Sequence, residues 1–196
     1  MILNDSQIRP QLINFLSKKI KKTNSKIIEE LTVNNGFARA DVVALDDKMH
    51  CFEIKGETDC VERILHQGKF YNNSFNTITL VTTENHLNKA FEISPDFWGI
   101  IVASNKNEVV QFKEIRKPLK NPDFIKEDAL SVLWKSELEI LAKNNNIICK
   151  KSFSKEKYIK AIAENLTDMV ISKSISNIVK NRVKFENFVP CKLCVR

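Results

Sequence analysis

The chain has 196 residues, with 31 Lys plus Arg against 24 Asp plus Glu, and so a formal net charge of +7. That length suits one domain with an appendage or two small domains, and 43% hydrophobic residues with only four Gly and five Pro exclude collagen-like and low-complexity chains. No apolar run approaches the ~20 residues of a membrane span, and the first thirty residues lack the basic-then-apolar order of a secretory signal. The expectation is a soluble, cytoplasmic protein with no membrane partner. Charge is unevenly spread: residues 1–120 carry 17 basic and 15 acidic side chains, residues 121–196 carry 14 and 9. A basic C-terminal third suits a polyanionic partner, although Lys-rich solvated helices give the same count.

In chain order, residues 5–22 read as an amphipathic helix with Ile8, Leu12, Phe15 and Leu16 on one side, capped by Asp5 or Ser6, with Pro10 near its first turn. Residues 26–33 form a candidate strand, and Asn34-Asn35-Gly36 is a turn signal. Two strand-like runs follow, residues 38–45 and 49–55, joined by Asp46-Asp47-Lys48. A three-residue loop pairs Leu45 with Met49, sets Asp41 opposite Glu53 and Arg39 opposite Lys55, and puts Ala40, Val42 and Ala44 together on the other face. Both faces carry apolar groups, so helices are expected on both sides of the sheet.

Residues 58–73 read as a helix capped by Thr58 or Asp59, with Val61, Ile64, Leu65 and Gly68 toward the sheet. Residues 76–82 form a strand, 84–93 a short helix, 98–103 a strand and 108–113 its hairpin partner. Pro118, Asn121 and Pro122 mark a boundary near 117–123. Beyond it the pattern is helical over 125–143, 155–166 and 168–184. The reading is an α/β domain over 1–117 and a basic helical region over 118–196.

Chemistry concentrates at Asp41 and Glu53-Ile54-Lys55. Glu53 and Lys55, two apart on a strand, project from one face while Ile54 points the other way. Converging carboxylates repel unless a cation resolves them, and hard oxygen ligands select Mg²⁺ or Mn²⁺. The Ile54 carbonyl can add an oxygen, and Lys55 can position water or meet a phosphoryl oxygen. The plainer alternative is a surface hairpin with Arg39 paired to Asp41 or Glu53. Asp59, Arg63, Gln67 and Tyr71 recur at i+4, so a helix could aim Gln67 and Tyr71 at the same spot; an Asp59–Arg63 ion pair on a solvated face is the alternative.

The run from Glu30 through Asp41, Glu53-Ile54-Lys55 and Gln67-Gly68-Lys69-Phe70-Tyr71 resembles the PD-(D/E)XK nuclease superfamily, the restriction-endonuclease-like fold. The stretches FARADVVAL, HCFEIKGETDCVERILHQGKFYN, TLVTTENH and PDFWGIIVA are similar to a small bacterial family of such proteins of unassigned role. The resemblance implies a three-layer core with a mixed sheet flanked by helices. It implies metal ligands at Asp41, Glu53 and Glu30 (or Glu29), a catalytic Lys55, and a supporting, substrate-contacting pair in Gln67 and Tyr71. Arg39, Asp59 and Arg63 become phosphate-contacting or supporting groups. Ala40 stands where the family motif often has Pro. The implied activity is Mg²⁺- or Mn²⁺-dependent hydrolysis of nucleic acid, DNA before RNA, in repair or defence against foreign DNA; a homodimer or a partner protein is compatible with it. The competing reading is a non-catalytic nucleic-acid- or protein-binding module, an accessory or immunity factor.

Residues 133–138 followed by 155–166 loosely resemble the helix–extended-loop–helix of SAP-like nucleic-acid-binding modules, with Lys150, Lys151, Lys155, Lys157 and Lys160 as phosphate contacts. A helical appendage packed through Leu133, Trp134, Leu138 and Leu141 is the equal alternative. Trp98 and Trp134 read as core anchors. His50, His66 and His86 are isolated, structural or exposed. Five cysteines at scattered spacing favour reduced thiols, and Cys191-x-x-Cys194 has no second pair to complete a zinc site.

Overall fold

The computed structural model describes residues 2–20 and 25–182. Cys191 and Cys194 lie outside them; Cys51, Cys60 and Cys149 are free thiols. The described strands are β1 (Lys26–Val33), β2 (Ala38–Leu45), β3 (Met49–Lys55), β4 (Thr77–Thr83), β5 (Gly99–Lys106) and β6 (Val109–Arg116). They form one sheet in sequential order. Pairing is antiparallel from β1 to β3, parallel from β3 through β4 to β5, and antiparallel again at β6.

The sheet is a middle layer. One face is covered by α1 (Asp5–Lys19), whose Ile8, Leu12 and Leu16 pack with Leu3 on Val42, Phe52, Ile54, Val81 and Ile101. Pro10 sits in the second turn, deeper than the sequence suggested, and Asn4 rather than Asp5 or Ser6 takes the cap position. The Gln7 side chain accepts the Asn4 N–H at 3.2 Å. The other face carries α2 (Ile64–Ser74), α3 (Leu87–Ile93), α4 (Lys126–Leu130), α5 (Lys135–Asn144), α6 (Lys155–Asn165) and α7 (Asp168–Lys180). Their cluster joins Leu45, Tyr71, Trp98 and Ile100 to Leu130, Leu138, Ile162 and Ile175 without a break. The boundary expected at 117–123 is therefore the connection from β6 to α4, and the residues on either side of it share one core. No described helix is long and apolar enough to cross a membrane.

Three expectations change. The helix expected over 125–143 breaks at Ser131–Leu133 into α4 and α5. Trp134 is 55% exposed, with the Arg182 guanidinium 4.6 Å over its ring. Glu137 holds this arrangement by accepting the Trp134 N–H at 2.7 Å and two bonds from Arg182 at 2.6 and 2.8 Å. Leu65 faces solvent, while Val61, Ile64 and Gly68 are buried as expected.

A slip in the pleat runs through β1 and β2, at one edge of the sheet. Ala38 and Ala40 belong to the α2 side, Val42 and Ala44 to the α1 side, and Val43 and Leu45 to the α2 side again. Alternation is thus broken at Asp41, and Ala40 does not share a face with Val42 and Ala44. β1 slips at the facing position, with Ile27 on the α1 side and Leu31 and Val33 on the α2 side. Glu30 takes up the change in a left-handed conformation, φ 58°. Because both strands slip together, Glu29↔Val42 and Leu31↔Ala40 keep one register across the interruption.

Candidate functional site

The loop between β2 and β3 gives the expected register from Leu45↔Met49 to Val42↔Phe52, and there the ladder stops. Asp41 and Glu53 are not a ladder pair. The Ile54 N–H, which would have met Ala40, donates to Asp41 Oδ2 at 2.8 Å. A strand residue points its N–H and C=O the same way, so the Ile54 carbonyl also turns toward Asp41. The end of pairing opens a cleft of about 660 Å³ lined by Glu30, Arg39, Asp41, Glu53, Ile54, Lys55, Arg63 and Gln67, together with Asp5, Arg9 and Phe37. The structure thus brings together the residues singled out in the first half of the chain, except Tyr71 and Glu29.

Glu53 and Lys55 are almost wholly buried, at 2% and 6% exposure. Lys55 Nζ donates to Glu53 Oε1 at 2.6 Å and to Gln67 Oε1 at 3.4 Å. Glu53 Oε2 is one of two buried side-chain polar atoms without a hydrogen-bond partner among the described residues. Leaving a charged oxygen so is costly. Burial and the charge of Glu53 push the Asp41 carboxyl up to about 7, against the opposing pull of the Ile54 N–H and Arg9.

Sequence reasoning missed Arg9. It reaches from α1 to donate to Asp41 Oδ1 at 3.0 Å and to Asp5 Oδ1 at 3.0 Å, and it pairs closely with Glu30. Burial lowers the pKa of its guanidinium, but the bonds to Asp5 and Glu30 outweigh that and leave it raised. The available signal was an Asp5–Arg9 i,i+4 pair bordering the buried Ile8 stripe. Glu30, and not Glu29, lines the cleft; Glu29 stands 4.0 Å from Arg9. Arg39 pairs with Glu30 at 2.5 Å instead of Asp41 or Glu53.

The helical stripe is shorter than expected because Val61–Arg63 is a 3-10 turn and α2 begins at Ile64. Asp59 does not pair with Arg63; its carboxylate accepts the Gly56 N–H at 2.8 Å and shapes the loop after β3. Tyr71 is fully buried, and its hydroxyl donates to the Arg39 carbonyl at 2.9 Å. Burial and the nearby Glu53 charge push its phenol well above the usual range. It supports the site from behind.

Among the described residues, no C-terminal lysine lines this cleft. Lys150, Lys151, Lys157 and Lys160 are exposed, with Lys157 and Lys160 beside a separate depression near Ile147 and Phe153. Lys155 is used internally, donating to the Ser131 carbonyl at 2.6 Å. His50 is stacked on Phe52, His86 bonds the Glu57 carbonyl, and His66 is exposed.

Among the described residues no group of three or more His, Cys, Asp or Glu side chains is arranged to hold a metal ion. The acidic cluster is ion-paired to Arg9, Arg39 and Lys55, with Glu53 Oε2 left over.

The fold and site define an α/β protein with a mixed six-stranded sheet and a carboxylate–lysine cluster where two of its strands part. The family described as bacteriophage P4 protein cII matches residues 2–189, and the chain belongs to it. Protein cII of Enterobacteria phage P4 is 28% identical over 184 residues, which cover 92% of this chain and 68% of that protein. Among solved structures, the SPO1766 protein of unknown function from Silicibacter pomeroyi aligns over 78% of this chain and 99% of its own, with TM-score 0.47 and 12% identity.

Proposed function

We propose that the protein is a metal-dependent nuclease on a restriction-endonuclease-like core, cleaving phosphodiester bonds of nucleic acid, DNA before RNA, in repair or defence against foreign DNA. The observation that carries this reading is the Glu53 carboxylate, buried beside Lys55 and the Tyr71 hydroxyl, with its Oε2 left without a hydrogen-bond partner, in a cleft that also holds Asp41. Such an atom suits a cation ligand. Glu53, Asp41 and the Ile54 carbonyl would hold Mg²⁺ or Mn²⁺, with Glu30 at the margin. When bound, the ion supplies Lewis-acid polarisation of the phosphate and a more acidic water.

The chain's own groups do the rest. Glu53 and Gln67 fix Lys55 Nζ, so its remaining donor capacity is directed at water or a phosphoryl oxygen in the cleft. Gln67 accepts from Lys55 through its oxygen and keeps its amide N–H groups for substrate. Tyr71 anchors the backbone of Arg39, whose side chain lines the cleft, as that of Arg63 does.

The test is Mn²⁺ calorimetry on the wild type and on Glu53→Ala, run beside a nicking assay on plasmid and single-stranded DNA. Binding lost in the variant, with cleavage following occupancy and falling by about 10² or more in Lys55→Ala, is the expected result. Absence of site-dependent binding at millimolar metal defeats the proposal. A second reading, a non-catalytic nucleic-acid- or protein-binding module, draws on Arg9: a guanidinium already seated on Asp41 and Glu30 is how an ion-paired site without metal would look. Under it, Asp41→Ala leaves nucleic-acid binding and cellular function at the wild-type level.

A further inference from the structure

The cleft carries an aromatic platform that the hydrolytic reading does not use. Phe37 is 72% exposed and is the one cleft-lining residue among the exposed large hydrophobics of the described chain. Its ring is stacked on Phe70 of α2, with centroids 5.6 Å apart and planes 12° from parallel. Lys69 Nζ lies 4.9 Å over the Phe70 ring. One face of Phe37 is therefore supported while the rest of the ring stands in water beside Arg39.

The backbone holds the ring there. Asn34, Asn35 and Gly36 all have positive φ, at 52°, 54° and 100°, and the Phe37 N–H closes the turn on the Asn34 carbonyl at 3.2 Å. A Cβ at Gly36 would meet nothing within 4 Å, so its glycine answers to backbone conformation and not to crowding. The Asn34 side chain reaches Asp128 of α4 at 3.5 Å, and Asp128 also accepts Asn73 of α2 at 2.7 Å. The turn and the helix that carries Phe70 are thus tied to one carboxylate.

We infer that Phe37, backed by Phe70, is a stacking subsite for an unpaired nucleobase, so that the cleft takes single-stranded nucleic acid with its backbone along Arg39 and Arg63. Every base has a π-face, and duplex DNA hides those faces inside its stack, so an aromatic platform beside cations selects single strands. This rests on the nuclease reading for the identity of the polymer. It is tested on binding alone, without metal.

The experiment measures fluorescence anisotropy of labelled oligothymidylate, oligouridylate and a duplex of the same length, in EDTA, against the full chain. Expected is tighter binding of the single strands than of duplex. Phe37→Ala should lose about tenfold or more on the single strands with duplex little changed, as removal of one stacked base contact predicts. Phe37→Trp should restore affinity, with its indole emission quenched on binding. The thymidylate and uridylate arms, which differ in the sugar and in the base methyl, show which of the two polymers is preferred. Equal binding by Phe37→Ala and wild type, or equal losses on single strand and duplex, overturns the inference. So does a wild type that binds no single strand. Manganese is then added to the wild type: a stacking subsite without cleavage sinks the hydrolytic reading alone.

Discussion

Arg9 occupies the position of a counter-ion to Asp41, and this has a measurable consequence. A divalent ion held by Asp41 would compete with the guanidinium for its charge, and a charged hydrogen bond of this kind is worth roughly 1.5–3 kcal/mol. Arg9→Gln should therefore bind Mn²⁺ about tenfold more tightly by calorimetry; unchanged or weaker binding would show that Arg9 does not compete. His50 gives a second prediction. Burial holds its pKa down to about 4 from 6.5, with Glu114 opposing, and its ring nitrogen bonds Thr79 Oγ1 at 2.8 Å. Between those pH values the unfolded chain binds the proton and the folded chain does not, so stability is lost as pH falls from 6.5 toward 4, by about 3 kcal/mol at most. Urea midpoints across that window should decline more steeply in the wild type than in His50→Gln. At this scale Glu53, Lys55 and Gln67 were legible because two-residue and four-residue spacing is local, and Asp41 because a short hairpin loop brings it near Glu53. Arg9 was not, since only the fold brings α1 to the site.

Among elements, the hairpin of β2 and β3 shows where alternation misleads. The loop length and register were readable from Asp46-Asp47-Lys48, but period two assumes an unbroken pleat. Nothing in the letters AD at 40 and 41 announces that the chain turns over there. At the slip Glu30 has its left-handed φ, and its side chain, not that of Glu29, lines the cleft. A non-glycine residue so placed in a strand costs on the order of 1 kcal/mol, held by its neighbours. The start of α1 is pinned in turn. A Cβ on Gly56 would lie 2.6 Å from the Leu3 carbonyl oxygen and 2.7 Å from the Asn4 Cα, both backbone. The Glu57 N–H donates to that same carbonyl at 2.7 Å. Gly56→Ala should push the first turn of α1, and with it Asp5 and Arg9, away from β3. The expected cost is about 1–3 kcal/mol, read as a lower denaturant midpoint at unchanged slope.

Across the whole molecule, the Pro and Asn signals at 118–122 read as a border, and the composition beyond it does change. Burial gives a different weight to that border. Leu130, Leu138, Ile162 and Ile175 are fully buried in the same cluster as Leu45, Trp98 and Ile100. Links of another kind run the same way: Ser176 Oγ and Lys180 Nζ both donate to the Asp46 carbonyl in the β2–β3 loop, at 2.6 and 3.0 Å. A fragment of residues 1–117 should fail to show a cooperative unfolding transition, whereas residues 1–182 should retain one. A cooperative transition in the shorter fragment would establish that residues 1–117 fold without the helices that follow.

The sequential strand order has a consequence for how the chain is made. Each strand can pair with its predecessor as it leaves the ribosome, so the sheet grows in the direction of synthesis. Its α2 face, however, receives the last apolar contribution of the described residues at Val179, some 60 residues after β6 is complete. At ~5–20 residues per second the nascent protein carries that open greasy surface for roughly 3–12 s. Translational pauses within that interval would prolong the time in which two unfinished chains can stick together, while pauses before β6 would matter less.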